Sequence, residues 1–381
     1  MADNNLNGKK VLVTGGAGLI GSHLVDALVL RGADVVILDN LDKQTHPFGK
    51  PDWINKEAQF IEGDVRSYDD LRRALSGVEY VFHQAAFGGF TSELSHYIDA
   101  NATGTARIFE VIVKDNLPVK KIVAASSQAV YGEGTYLAED GSIFYPEYLR
   151  PVAQLREGRW EIECPRTGKP MKPLKNKEDR PLYTETIYGI SKLAEEKLIL
   201  GLGRKFEVPT VALRYAVTYG PRQSIYNPYT GVVSIFSTQL LNDCAPIVYE
   251  DGEQTRDYLY VADNVAANIL VMENEEANYK VFNVGRGEFV TVKRLVKALA
   301  ERYHKNIDPQ CSGEYRPWDV RHFVHDSSAI NKLGFKAEVS LEAGLDQYVE
   351  WIGTQGKVKE YFSTARDKMR KAGIVFCSNS N

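Results

Sequence analysis

Residues 11–24 read VLVTGGAGLIGSHL. A run of aliphatic residues ends at the Gly15–Gly16 pair, Gly18 and Gly21 stand three and six residues after Gly15, and apolar residues with helical spacing begin at once. Each glycine has its own physical task. The first permits a tight turn, the second lets backbone amides approach a ligand, and the third lets the helix pack close to the strand. The amides and dipole at the start of that helix favour a negatively charged group. Three glycines alone say little, because turns collect glycine. Here they follow a strand, open a helix and begin a strand–helix–strand unit, the context in which such a loop cradles a dinucleotide pyrophosphate.

The same rhythm continues outward. After KKVLVTG, the stretches ADVVILDN, QFIEGDV, VEYVFHQAA, VKKIVAASS and VPTVALRY read as strands. Helical patterns such as SHLVDALVLRG, YDDLRRALSG and NATGTARIFEVIVKDN separate them, and another helix starts near Thr186. Alternation of this kind predicts an α/β protein with a doubly wound parallel sheet, a Rossmann fold, carrying a smaller C-terminal substrate-binding lobe. The expected division is a dinucleotide-binding domain over 8–215, to which 255–285 returns, and a substrate lobe over 216–254 and 286–356. Residues 134–182 break the rhythm and read as a long surface insertion or lid. The polar tail, 357–381, reads as loosely docked or frayed.

The bulk numbers exclude other classes. The chain has 381 residues, 44% hydrophobic and 25% charged, with a formal net charge of −4, which asks for neither nucleic acid nor a membrane surface. It contains no long apolar run that would cross a membrane, and its start, MADNNLNGKK, lacks the apolar stretch of a secretory signal. Cys164, Cys244, Cys311 and Cys377 stand far apart, which suits a reducing, cytoplasmic setting better than a disulfide framework or a metal site.

Candidate chemistry gathers at strand ends. Asp39 closes the second strand, where a carboxylate accepts both ribose hydroxyls and repels a 2′-phosphate; with Asn40 rather than arginine next, this favours NAD over NADP. Asp64 and Val65, after the third strand, stand where an adenine is held. His83 reads as a strand-end residue near the cofactor rather than a catalyst. Ser127 lies at the carboxyl end of the fifth strand. In YGISK, Tyr188 and Lys192 are at i and i+4 and face the same way on a helix. A free phenol titrates near ~10 and is a poor base at neutral pH, but a neighbouring ammonium favours its ionised form. A phenolate at a sugar hydroxyl takes the proton while hydride leaves the same carbon, with Ser127 holding or relaying that proton.

With TGGAGLIG, LDN, GDV, HQAA, NATGT, SSQAVYG, YGISK, YGPRQ, RDYLYVAD, FNVG and GEYRPWDVR in place, the sequence resembles the extended short-chain dehydrogenase/reductases over about residues 9–350, specifically their nucleotide-sugar epimerases and dehydratases. The resemblance implies NAD as cofactor, a nucleotide-diphosphate sugar as partner and a homodimer. It implies that Leu19, Ile20, Ala85, Ala86 and Asn101 join Gly15, Gly18, Gly21, Asp39, Asn40, Asp64, Val65, Tyr188 and Lys192 around the cofactor. Arg256 and Arg316 match arginines that face the substrate phosphates, a role suited to guanidinium forks, and Arg222 is a further candidate. Gln128, Asn227 and the loop Phe87–Thr91 are expected at the substrate, with Gly88 and Gly89 leaving room for a sugar ring.

Among the family's chemistries, 4,6-dehydration requires an Asp–Glu pair after the catalytic hydroxyl residue, where this chain has Gln128 and Ala129. A net reductase would use NADPH, against which Asp39–Asn40 stands. The remaining expectation is 4-epimerisation through a 4-keto sugar. The stretches PRQSIYNPYTGVVSIFSTQLL and VYEDGEQTRDYLYVAD resemble dTDP-L-rhamnose 4-epimerase-like members, so a dTDP-6-deoxyhexose such as dTDP-L-rhamnose is the implied substrate. Two departures matter. Thr167 replaces the second cysteine of a CPxCG knuckle, so no metal is expected, and Val217 stands where relatives carry a substrate-contacting asparagine. UDP-hexose or UDP-uronate epimerases, related nucleotide-sugar dehydratases or decarboxylases, and an NAD-binding regulator without turnover stay open as alternatives.

Overall fold

The structure is a computed structural model that describes residues 6–89, 93–227 and 231–379. Its centre is a parallel sheet of seven strands: β1 (Lys10–Thr14), β2 (Asp34–Asp39), β3 (Gln59–Glu62), β4 (Tyr80–His83), β5 (Lys121–Ser127), β6 (Thr210–Tyr215) and β7 (Lys280–Val284). Their order across the sheet is β7-β6-β5-β4-β1-β2-β3. The chain thus builds outward from β1 in one direction and then in the other. The crevice beyond the carboxyl ends of β1 and β4, where the direction reverses, is the expected ligand position.

Side chains on a strand alternate between faces, so two covered faces require apolar residues at every position. Val11, Val13, Val35 and Ile37 enter one core with Leu24 and Leu28 of α1 (Leu19–Val29). Leu12, Val36 and Leu38 enter the opposite core with Leu71 of α2 (Tyr68–Ala74), Ile108 and Ile112 of α3 (Gly104–Lys114) and Ile199 of α4 (Ile187–Lys205). Another helix, α5 (Val261–Glu273), lies beside α1 on the first face.

A further core belongs to the second lobe and joins Tyr219, Phe236, Val248, Tyr258, Leu295, Leu345 and Tyr348. Two parts of the chain differ from their sequence reading. Residues 134–182, read as a surface insertion or lid, have structure of their own: they form a small antiparallel sheet (Thr135–Leu137, Ile143–Phe144 and Lys172–Leu174) over a core of Tyr136, Ile162, Cys164 and Met171. A buried ion pair from Arg150 to Glu250 at 2.7 Å, and a half-exposed one from Glu161 to the buried Arg321 at 2.5 Å, dock this unit on the second lobe. The tail does not fray. Phe362 and Met369 of α6 (Phe362–Lys371) enter the second core, and Phe376–Cys377 pairs antiparallel with Glu314–Tyr315. In both places polar composition suggested solvent, whereas the charges bind one another.

Candidate active site

The loop after β1 is shaped by close contacts that exclude side chains. Gly15 has φ +67°, and a Cβ there would lie 2.7 Å from the Ala85 nitrogen. A Cβ on Gly21 would lie 2.1 Å from the Gly15 carbonyl oxygen. Gly18 precedes α1 without any side-chain cap, and the first turn of the helix holds no acidic residue. The helix therefore keeps its terminal amides for an anion. The Leu19 and Ile20 side chains pack inward against the cores, which leaves their backbone amides as the groups this turn can offer, and Gly21 acts through its close contact with Gly15.

A cavity runs from this loop along the ends of β1 to β4, and Gly15, Gly18, Asp39, Asn40, Asp64, Val65, Ala85 and Ala86 line it. The Asp39 carboxylate accepts from the amides of Ala17 and Leu41, both at 2.9 Å, which aims it across the cavity. Asn40 donates to Asp64 at 3.0 Å. Burial pushes the Asp64 carboxyl up, but hydrogen bonds from Arg66 prevail and hold it down at about 2. Sequence reading missed Arg66, Asp42, Thr45 and His46, which line the same cavity. The arginine directly after GDV was the available signal. A glycine cradle that Cβ atoms would fill, uncapped helix amides and an oriented carboxylate fit a dinucleotide.

Asn101 does not reach that cavity. Its carboxamide accepts from the Phe87 amide at 2.7 Å and donates to the Phe87 carbonyl and to Ser191 Oγ, so it positions the loop after β4. His83 bridges Thr14 Oγ1 at 2.7 Å and Thr105 Oγ1 at 3.0 Å; burial lowers its pKa to about 3, with Lys192 adding to the effect. It is a buried connector. Phe90 and Thr91 of the expected pocket loop lie outside the described residues.

A second cavity, about 580 Å³, is lined by Ser127, Gln128, Tyr188, Arg256 and Arg316, within the ~300–1,000 Å³ of small-molecule sites. Ser127 Oγ accepts from the Ala129 amide at 3.1 Å, so the serine both caps the turn after β5 and faces the cavity. Gln128 Oε1 is buried without a hydrogen-bond partner. Thr186 caps α4 by accepting from the Gly189 amide at 3.0 Å. Gly189 brings the helix against that turn: a Cβ would lie 2.5 Å from the Ala129 carbonyl oxygen. Tyr188 is thereby held across the cavity from Ser127. A Cβ on Gly88 would lie 3.5 Å from the Tyr188 ring, while the Gly89 carbonyl accepts from Tyr97.

Lys192 departs from expectation. It lines neither cavity. Its ammonium is bound to Glu195 Oε2 at 2.5 Å, and both side chains are 1% exposed. The neighbouring carboxylate offsets the positive charge that was to favour the Tyr188 phenolate. Burial pushes the Glu195 carboxyl up to about 7 against the pull of Lys192. Sequence reading missed Glu195, although its i+3 spacing from Lys192 on one helix was visible.

Two further substrate candidates stand outside the two cavities. Arg222 has φ +67° and pairs with Asp26 of α1 at 2.7 Å, and Asn227 is buried; neither lines either cavity. Val217 sits in a short strand beside Tyr258. Among the described residues, no group of three or more His, Cys, Asp or Glu is placed to hold a metal ion.

A dinucleotide cradle at the sheet's switch point, with a tyrosine-lined cavity beside it, is the working layout of the short-chain dehydrogenase/reductases. The protein is an NAD-dependent enzyme of that class. The chain belongs to the NAD dependent epimerase/dehydratase family, whose sequence model matches residues 11–151 and 166–285. It is 34% identical to a dTDP-L-rhamnose 4-epimerase of Burkholderia thailandensis over 93% of this chain and 99% of that protein. Among solved structures, a UDP-glucose 4-epimerase of Thermotoga maritima with UDP-glucose matches 91% of this chain and 100% of its own, at 32% identity and a TM-score of 0.71. A UDP-glucuronic acid 4-epimerase of Bacillus cereus with UDP-glucuronic acid and NAD matches 91% and 99%, at 26% identity and a TM-score of 0.74.

Proposed function

We propose that the protein is a nucleotide-sugar 4-epimerase acting through a transient 4-keto sugar, with a dTDP-6-deoxyhexose such as dTDP-L-rhamnose as its first candidate substrate. The observation that carries this reading is the place of Tyr188, in one cavity with Ser127 and two arginines and against the loop that also walls the dinucleotide cavity. Gly15, Gly18, Asp39 and Asp64 would hold NAD, which when bound supplies a reversible hydride acceptor. Tyr188 takes the proton of the C4 hydroxyl, and Ser127 holds that oxygen by hydrogen bonding. Lys192, shared with Glu195, sets the charge near the phenol. Arg256 and Arg316 keep the diphosphate fixed while the 4-keto sugar turns over, and Tyr188 returns the proton to the C4 oxygen as C4 recovers its hydride on the opposite face.

The nucleotide is assigned on the relative from Burkholderia thailandensis. A second reading, a UDP-hexose or UDP-uronate epimerase, is supported by the solved neighbours with UDP-sugars. The test is to incubate the purified protein with dTDP-L-rhamnose, UDP-glucose and UDP-glucuronate and to follow the sugars by NMR and mass spectrometry. An isomer of unchanged mass is expected. A product lighter by water or carbon dioxide would show a dehydratase or decarboxylase instead, and NAD binding without any change of sugar would leave a regulator.

We also propose a cytoplasmic homodimer, on the family resemblance and the cysteine usage; a mass of one chain by light scattering would overturn the dimer. No helix among the described residues is long and apolar enough to cross a membrane. Residues 8–215 with 255–285 are proposed as the NAD-binding unit, and 216–254 with 286–356 as the substrate lobe.

A further inference from the structure

Beyond Arg256 and Arg316 the substrate cavity continues into a third one. The two share these arginines and Asp319. Phe236 and Val232 form one apolar wall, and Phe362 and Met369 of α6 also line it. Tyr249 OH, Gln254 Oε1 and Tyr258 OH border this space, and all three atoms are buried without a hydrogen-bond partner. Unpaired buried polar atoms cost free energy unless a ligand satisfies them. Arg316 also lies over the Tyr249 ring, 5.4 Å from its centroid.

The tail is held here by specific contacts. Phe362, Ala365 and Met369 fall on one face of α6 and are buried. The adjoining flank sends Arg366 and Arg370 to the carboxylate of Glu314, which is 1% exposed. Glu314 and Tyr315 pair with Cys377 and Phe376, and the Tyr315 and Phe376 rings stack with centroids 5.9 Å apart. The next residue in that strand's direction is Arg316, which faces the cavity. Ile374 of the tail reaches the cavity that holds Tyr188. One short strand therefore fixes the tail through Glu314 and presents a phosphate-facing guanidinium from Arg316.

We infer that the C-terminal segment is part of the substrate site: Phe362 and Met369 close the subsite for the nucleoside end of the nucleotide-sugar and set its affinity and base preference. This rests on the nucleotide-sugar reading above. An apolar slot with polar groups at its edge suits a planar base, whose faces are apolar and whose rim hydrogen-bonds. The diphosphate would lie at Arg256 and Arg316, and the sugar beyond, at Tyr188.

The test uses the full-length protein with its NAD content measured. Calorimetric binding of dTDP and of UDP is compared between wild type and Phe362→Ala/Met369→Ala. Binding weaker by about tenfold or more, with unchanged NAD content, is expected, together with a changed dTDP-to-UDP ratio. Hydrogen exchange on the unmutated protein guards against misfolding of the variant: adding dTDP or UDP should slow amides within 362–377 and leave β3 unaffected. Unchanged affinity in the variant, or no slowing in the tail while a diphosphate binds, overturns the role of the tail and leaves the enzyme reading standing. Failure of wild type to bind any nucleoside diphosphate overturns both.

Discussion

The cofactor half and the substrate half of this crevice are built differently. The first is drawn mainly from short segments that directly follow successive strands: the glycine turn after β1, the end of β2 and the loops after β3 and β4. The second is made of side chains drawn from distant places, including Ser127, Tyr188, Arg256, Trp318 and Ile374. A backbone cradle leaves a local imprint, because only glycine tolerates its contacts. A side-chain cavity leaves only scattered motifs, such as those around Ser127, Tyr188, Arg256 and Arg316, and shows that they belong together only when the chain has folded.

The sharpest break between the halves is expected from Gly21→Ala. Its Cβ would meet the Gly15 carbonyl at 2.1 Å, a backbone clash that no rotamer relieves. The variant should purify without NAD, measured by nucleotide release; normal NAD content would show that the cradle is not what holds it. Tyr188→Phe attacks the other half. Turnover should fall on the order of 10²–10⁴-fold while the nucleotide-sugar still binds, and near-normal kcat would remove Tyr188 from its proposed role.

Arg256→Ala and Arg316→Ala should each raise KM for the nucleotide-sugar by roughly 10- to 100-fold, as loss of a charge-assisted contact worth about 1.5–3 kcal/mol implies. Cofactor affinity should not change; if it weakens equally, the halves are not separable in this way. Asp39→Ala is the converse, with NAD affinity lower by roughly tenfold and the binding of nucleoside diphosphate intact. Equal NAD affinity by titration would discard the ribose contact.

The smallest effect concerns Glu195, which lies beneath both halves. Burial raises its carboxyl to about 7, so between the ordinary glutamate range and that value the folded protein keeps a proton that the unfolded chain has lost. That contribution to stability is complete at low pH and disappears as pH rises through about 7. Glu195→Gln removes this slope, so the difference in Tm should shift in the variant's favour from roughly pH 5 to pH 8. A constant difference across that range would refute it.

The strands and the glycine turn were readable because their signals are local. VLVTGG alternates into two covered faces, and Gly15 and Gly21 have no substitute. Asp39, Asp64 and Arg66 follow their strands directly, although Arg66 was overlooked. Other candidates have partners that are remote in sequence and could not be read from it. Arg222 was expected at the substrate and pairs with Asp26 of α1. Asn101 was expected at the cofactor and holds the backbone of Phe87. The polar stretches 134–182 and 357–379 looked solvated, yet Arg150, Arg366 and Arg370 meet buried carboxylates from elsewhere, and Glu161 meets the buried Arg321.

The sequence alone determined the doubly wound sheet, the dinucleotide cradle and the family, because strand periodicity and glycine stereochemistry are set by residues within a few positions of one another. Only the tertiary structure decided that Glu195 shares the charge of Lys192 and that the insertion is clamped rather than free. It also decided that the tail walls the cavity beyond Arg256 and Arg316. Those outcomes depend on which charges and apolar faces meet across the folded chain, and burial strengthens such contacts far beyond what the same residues would show in water.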